Sequence, residues 1–147
     1  MSVIKGVIGD SKIYYSPADM TRMDSTYIKT LHYDSIPYNN SHSQIEKAIT
    51  YVDSVYNTLE HPSVAEQLFK YDRLVTFRFK ERTFSKAITS CDSIIELIEK
   101  ADAVRVFPGE YALAHFWEGD CYSHMGDYMK AYQCYFKGRK LTAKYLD

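Results

Sequence analysis

Three residues in the last third of the chain, His115, Glu118 and His124, form the one group whose types and spacing could support acid–base chemistry. His115 and Glu118 are three positions apart, which on a helix places them on one face, a turn apart. An imidazole beside a carboxylate can act as a general acid or base. The order is not the His-Glu-x-x-His of a zinc helix, so no metal site is predicted.

The other reactive side chains form no catalytic or metal-binding pattern. Cys91, Cys121 and Cys134 are odd in number and contain no Cys-x-x-Cys pair, so neither a disulfide framework nor a zinc site is predicted. No glycine-rich phosphate loop or nucleophile motif is present. We expect no catalysis, metal or cofactor, and three packed free thiols in a reducing compartment. An enzyme that uses the histidine and glutamate group is the alternative.

The charge balance excludes several classes of partner. The 147 residues include 18 basic and 19 acidic side chains, for a formal net charge of -1, which creates no field to attract nucleic acid or an anionic membrane. No run approaches the ~20 apolar residues of a membrane helix. Residues 1–15 lack the apolar stretch and cleavage site of a signal peptide. We expect a cytoplasmic protein without membrane insertion, or an extracytoplasmic one if a signal sequence lies upstream.

Helices are expected to position these residues, because the chain repeats itself at a spacing near forty residues. The pattern Lys-Ala-Ile-Thr-x-x-Asp-Ser occurs at 47–54 and again at 86–93, and a degenerate third copy begins at Lys130. Such repeats are typical of helical units that bury their apolar faces by stacking on each other. Glycine is absent between Gly9 and Gly109, as long uninterrupted helices require.

Prolines, capping residues and apolar spacing divide the chain into six predicted helices. Ser63 and Glu66 have the spacing of a capping box, and Pro108 marks another helix start. The helices are predicted at about 17–33, 43–60, 63–80, 83–100, 109–125 and 127–145. We expect an all-α domain of three antiparallel hairpins over residues 16–147, in units of about 17–60, 63–100 and 109–145. Residues 1–15 form an N-terminal arm without an assigned role.

The stretch 112–135 resembles a tetratricopeptide repeat, or TPR. Gly119 stands where that family needs a small residue for close helix approach, and Tyr122 stands where an aromatic residue fills the groove between the two helices. Residues 126–128, Gly-Asp-Tyr, match the turn between the helices, and Ala131 matches the small residue of the second helix. The resemblance is specific in this unit, and it extends to more divergent units over residues 17–145.

This resemblance implies an α-solenoid with right-handed superhelical stacking. It also implies that the protein binds a protein or peptide in a concave groove formed by the first helix of each pair. Carried over by position, the groove residues are Phe69, Asp72, Arg73, Thr76, Leu113, Phe116, Trp117 and Asp120. The positions with which some family members grip a C-terminal carboxylate hold Leu113 and Trp117 here, so a carboxylate clamp is not predicted.

Three residues each keep two interpretations. Trp117, the single tryptophan, is either a binding hot spot or a core residue between hairpins. Arg73 either meets an acidic ligand group or is a solvated side chain with a local partner such as Asp72. Glu118 occupies a position at which the resemblance implies a buried leucine. It either pairs with His115 or a nearby lysine, or contacts a polar ligand.

Two further functions compete with simple peptide binding. TPR arrays often precede output domains, so the chain is alternatively a regulatory or sensor segment of a larger signalling protein. The final hairpin also has no polar capping helix, which the ends of solenoids need for solubility. Its open side is therefore expected to be covered by another chain, by further sequence or by a second copy, and the last case describes a self-assembling adaptor or homo-oligomer.

Overall fold

The computed structural model describes residues 42–146, and all regular secondary structure in this range is helical. The described helices are α1 (His42–Asn57), α2 (Val64–Glu81), α3 (Phe84–Lys100), α4 (Pro108–His124) and α5 (Tyr128–Tyr145). The predicted all-α class is confirmed for this range. The arm 1–15 and the predicted helix 17–33 lie outside the described residues.

Local sequence signals explain where the helices begin and end. Ser63 and Glu66 form the predicted capping box before α2, because the Ser63 hydroxyl accepts from the Glu66 backbone N–H at 3.2 Å and Glu66 Oε1 accepts from the Ser63 N–H at 2.9 Å. Pro108 is the first residue of α4. Helix α1 ends at Asn57, three residues before the predicted end, and the following loop places His61 at a φ of 50° before Pro62.

Short turns reverse the chain between neighbouring helices. Arg82 adopts a left-handed conformation, with a φ of 67°, and only Arg82 and Thr83 connect α2 to α3. Between α4 and α5, Gly126 has a φ of +84°, a conformation that glycine adopts without strain. Asp127 then caps α5 by accepting from the Lys130 backbone N–H at 3.2 Å. These turns produce the hairpins α2–α3 and α4–α5.

The helices pack in chain order, each on the next, and α2 also touches α4. The larger apolar core lies between α2, α3, α4 and the loop that precedes α4. Its most buried members are Ala65, Val75, Cys91, Ile98 and Ala103. A second core joins α1 to α2 around Phe77. Phe69 packs against both cores, so α2 is the helix that connects them.

Glycine permits close packing of α5 on α4. A Cβ atom at Gly119 would lie 2.6 Å from the ring of Tyr135, and one at Gly138 would lie 2.9 Å from the ring of Phe116. Each aromatic ring therefore occupies the space that the opposing glycine leaves. The two contacts run in opposite directions along the two helices, which makes α4 and α5 antiparallel.

Candidate functional site

A partly open cavity of about 280 Å³ lies between α2 and α4. Its walls are mostly apolar, and it is lined by Leu68, Phe69, Asp72, Val75, Ile94, Glu110, Leu113, Ala114 and Trp117. Ligand pockets are typically concave and apolar with a few polar groups that fix orientation. We call this feature the α2–α4 cavity.

Helical spacing explains why these side chains meet. On α4, Glu110, Leu113 and Trp117 follow each other at intervals of three and four residues, which places them on one face. Phe69 and Asp72 have the same relation on α2. The two faces point at each other because α2 and α4 are in contact while both pack on α3, which contributes Ile94 to the lining.

Four of the eight predicted groove residues line the cavity: Phe69, Asp72, Leu113 and Trp117. Leu113 is 48% exposed, which is high for a leucine. Trp117 is half-buried and meets the ring of Phe79 edge-on at a centroid distance of 4.9 Å. The tryptophan therefore packs against the core and also lines the cavity. Its core interpretation describes one part of its surroundings, and the binding interpretation stays a prediction for the part that faces the cavity.

The other four predicted residues are not among those that line the cavity. Phe116 packs on Gly138, and Asp120 accepts a hydrogen bond from the Tyr135 hydroxyl, so both contact α5. The Thr76 hydroxyl donates to the backbone carbonyl of Asp72 at 3.0 Å. The Arg73 guanidinium lies 3.7 Å from an Asp72 carboxylate oxygen, as the prediction of a local pair requires. Arg73 is buried, however, so the prediction of a solvated side chain is wrong.

Acidic groups set the electrostatics of the cavity. Its lining contains the carboxyl groups of Asp72 and Glu110 and no cationic side chain. The Glu110 residue as a whole is exposed. Its carboxyl group is nevertheless partly shielded from solvent by burial, which raises its pKa, and the charge of Asp72 adds to the increase. Sequence reasoning missed Glu110, although its spacing of three residues from Leu113 was a usable signal.

Glu118 of α4 is buried and does not line the α2–α4 cavity; its polar neighbours belong to α3 and α5. Burial raises the pKa of Glu118 to about 8, and a hydrogen bond with Asp92 and its charge add to the shift, whereas Lys137 and Cys134 oppose it. Oε1 of Glu118 accepts no hydrogen bond within residues 42–146. Protonation of Glu118 removes a buried negative charge that would otherwise lie near Asp92.

The two histidines of the predicted acid–base group have different surroundings. His115 is buried, meets Tyr111 edge-on at 5.2 Å, and Nε2 has no hydrogen-bond partner within residues 42–146. Burial lowers the pKa of His115 to about 4, and the charge of Lys137 contributes. His124 stacks on Phe84 at 4.8 Å. Neither histidine lines the α2–α4 cavity.

One group within residues 42–146 could hold a metal ion: potential ligand atoms of His42, Glu46 and Glu81 lie within 4.8 Å of one another. Arg78 already bonds both carboxylates, at 2.6 Å to Glu46 and 3.1 Å to Glu81. Burial alone would raise the pKa of Glu81, but hydrogen bonds from Thr83 and Arg78 hold it below its ordinary value. The guanidinium thus supplies the positive charge that a cation would supply, in a network that ties α1 to α2.

The cysteines are free thiols. Cys91 and Cys121 are buried, and burial raises the pKa of both, to about 12 for Cys121. Cys134 is less buried and its sulfur lies 3.9 Å from Glu118 Oε2. Thiols with raised pKa values are weak nucleophiles at neutral pH, so packing is their visible role.

Comparison of the chain with protein-family models, with curated proteins and with solved structures found no match. The similarity to the TPR family therefore stays a prediction from the residues themselves. Within residues 42–146, no helix has the length and apolar character needed to cross a membrane.

Proposed function

We propose that this protein is a non-catalytic interaction module that binds a protein segment in the α2–α4 cavity. The observation that carries the proposal is the cavity itself, which joins Phe69 and Asp72 of one hairpin to Leu113 and Trp117 of the next. Half-buried aromatic side chains around an apolar pocket are the usual anchors of binding energy in protein interfaces.

The proposal includes the finer architecture, a TPR-like α-solenoid. Consecutive packing of the hairpins α2–α3 and α4–α5 supports it, as does the contact between their first helices, α2 and α4. In such an arrangement the first helices form the concave face, and this is where the cavity lies. The close approach at Gly119, filled by the ring of Tyr135, also agrees with the resemblance.

The lining favours a ligand that combines an apolar side chain with a cation. About 280 Å³ is sufficient for one large aliphatic or aromatic side chain in the cavity. The carboxyl groups of Asp72, which also lies 3.7 Å from the Arg73 guanidinium, and of Glu110 make this lining acidic, which favours a lysine or arginine next to the apolar side chain. The face of the Trp117 ring can add a cation–π contact. We therefore expect a short segment with a bulky apolar residue and a neighbouring basic residue.

Selection of random peptides on phage against the full 147-residue chain tests the proposal. The expected winners carry the apolar and basic pair, and Leu113→Ala weakens their binding at least fivefold because it removes an exposed cavity wall. Met125→Ala, at a position just after α4 that is as exposed as Leu113, 49% against 48%, is the matched control and leaves binding unchanged. Selected peptides that lack a basic residue but bind more weakly to Leu113→Ala would support the cavity as the site and contradict its preference for a cation. If Leu113→Ala weakens the binding of none of the selected peptides, the cavity is not the binding site.

A further inference from the structure

Helix α5 exposes a row of large apolar side chains along one face. Tyr128, Met129, Tyr132 and Phe136 are between 46 and 71% exposed. The last three are separated by three and four positions, so they lie in line along the helix. The rings of Tyr132 and Phe136 stack at a centroid distance of 6.2 Å. We call these four residues the α5 stripe.

The α5 stripe is not part of the packing between α4 and α5. The buried residues of α5 are Ala131 and Gly138, and Gly138 faces Phe116 of α4. With 100° per residue, Ala131 and Gly138 lie on the opposite side of the helix from Met129 and Phe136. Contiguous exposed apolar side chains of this size mark an interaction surface more often than a solvated face.

The charges of α5 are all of one sign. The helix contains Lys130, Lys137, Arg139, Lys140 and Lys144, and it contains no acidic residue. Lys130 pairs with Asp127 at 3.9 Å, and Lys137 lies close enough to Glu118 to lower the pKa of that carboxyl group. Within residues 42–146, no carboxylate lies within 4.0 Å of the cationic groups of Arg139, Lys140 or Lys144. Among the described residues, a partner at this surface therefore meets three cationic groups, those of Arg139, Lys140 and Lys144, without a carboxylate neighbour.

Two of these cations extend the α5 stripe directly. Arg139 and Lys140 follow Phe136 by three and four residues, so they continue the same face. The Lys140 ammonium lies 5.5 Å from the centroid of the Phe136 ring, which keeps the positive charge next to the apolar row. The planar guanidinium of Arg139 suits a bidentate contact with a carboxylate.

We propose that the α5 stripe binds an acidic amphipathic helix of a partner protein. The apolar face of that helix covers Met129, Tyr132 and Phe136, and its glutamates or aspartates pair with Arg139 and Lys140. An aligned second copy of α5 fits worse, because it brings further cations and no carboxylate to the contact. The surface is distinct from the α2–α4 cavity, so the proposal is independent of the proposed function.

A synthetic helical peptide tests the proposal. The probe has about 20 residues, with leucine at positions i, i+3, i+4 and i+7 and glutamate at most others, and its binding to the full chain is followed by fluorescence anisotropy. We expect saturable binding that weakens as salt is added, since paired surface charges are screened. Tyr132→Ala or Arg139→Glu should weaken binding at least tenfold, because they remove an aromatic anchor and a charge partner.

Matched controls decide between the alternatives. Met125→Ala changes a side chain just after α4 that is exposed almost as much as Phe136, 49% against 46%, and that belongs neither to the α5 stripe nor to the cavity lining. It should leave binding of the acidic peptide within twofold. Equal binding of a peptide with lysine in place of glutamate would overturn the charge argument. Preference for phosphatidylserine vesicles over the peptide would assign the face to membranes. A dimer in light scattering that Tyr132→Glu dissociates would assign the α5 stripe to contact with a second copy. The vesicle result or the dimer result would overturn the proposal.

Discussion

Replacement of Glu118 by glutamine should make the protein more stable at alkaline pH. The pKa of Glu118 is raised to about 8 in the folded protein, against 4.5 for an ordinary glutamate. Between these values the folded protein holds a proton that the unfolded chain releases. Stability therefore falls as pH rises through this window, by about 1.4 kcal/mol per pH unit. Across the full window the loss is on the order of 4 to 5 kcal/mol.

His115 changes the shape of this dependence in the wild-type protein. Its pKa is lowered from 6.5 to about 4, so between these pH values His115 is protonated in the unfolded chain and neutral in the folded protein. The free energy of unfolding therefore falls as pH drops from 6.5 towards 4. The slopes of His115 and Glu118 oppose each other between about pH 4.5 and pH 6.5. Of these two groups, only Glu118 contributes above pH 6.5, and we expect it to lower the free energy of unfolding by about 2 kcal/mol by pH 8.

Urea unfolding followed by circular dichroism, at intervals from about pH 5 to about pH 9, measures the effect. Glutamine has the shape of a protonated glutamate and no charge. The difference in unfolding free energy between Glu118→Gln and wild type should therefore grow with pH and level off above pH 8. Titrating groups that do not interact with Glu118 contribute equally in both proteins and cancel, and His115 is one of them.

The control is Glu60→Gln, since Glu60 is exposed in the loop after α1. Its difference from wild type should stay constant within about 0.5 kcal/mol over the same range. A constant difference for Glu118→Gln as well would refute the reasoning, because it would mean that the carboxyl of Glu118 titrates in the folded protein as it does in the unfolded chain.

Three further predictions concern the packing. Gly119→Ala should lower the unfolding free energy by about 1 to 3 kcal/mol, because the new Cβ meets the ring of Tyr135 at 2.6 Å, whereas Gly109→Ala has open space and should be neutral or slightly stabilising; thermal unfolding compares them. Arg78→Met should cost about 1 to 3 kcal/mol in urea unfolding, because Glu81 loses the guanidinium at 3.1 Å and keeps only its contacts with Thr83 and the exposed His42. Iodoacetamide, followed by mass spectrometry, should modify Cys134 at least tenfold faster than the two buried thiols, and equal rates would contradict their burial.

The helices and their caps could be predicted because their signals are local. The capping box at Ser63, the start of α4 at Pro108 and the turn at Gly126 depend on residues within four positions of each other. Apolar spacing also places Leu113 and Trp117 on one face of α4. Their assignment to a groove, however, came from the TPR resemblance and not from this spacing.

The environment of Glu118 could not be predicted, because it depends on three helices. Local spacing suggested His115 or a lysine as the partner. Lys137 does lie close enough to lower the pKa of Glu118, but Asp92 on α3 has the larger effect and raises it. Phe116 shows the same limit. Its position along α4 fits the groove, yet its ring packs on Gly138 of α5, and only the rotation of α4 about its axis decides between the two faces.

Trp117 fluorescence offers the most direct test of binding in the α2–α4 cavity, because this is the single tryptophan of the chain and it lines the cavity. A fluorescently labelled peptide recovered from the random library is titrated into the full chain, and tryptophan emission and peptide anisotropy are recorded together. We predict that both change with the same midpoint and that Leu113→Ala weakens both. The proposed site would be contradicted if the peptide raises its anisotropy on binding while Trp117 emission stays unchanged and Leu113→Ala binds it as tightly as wild type.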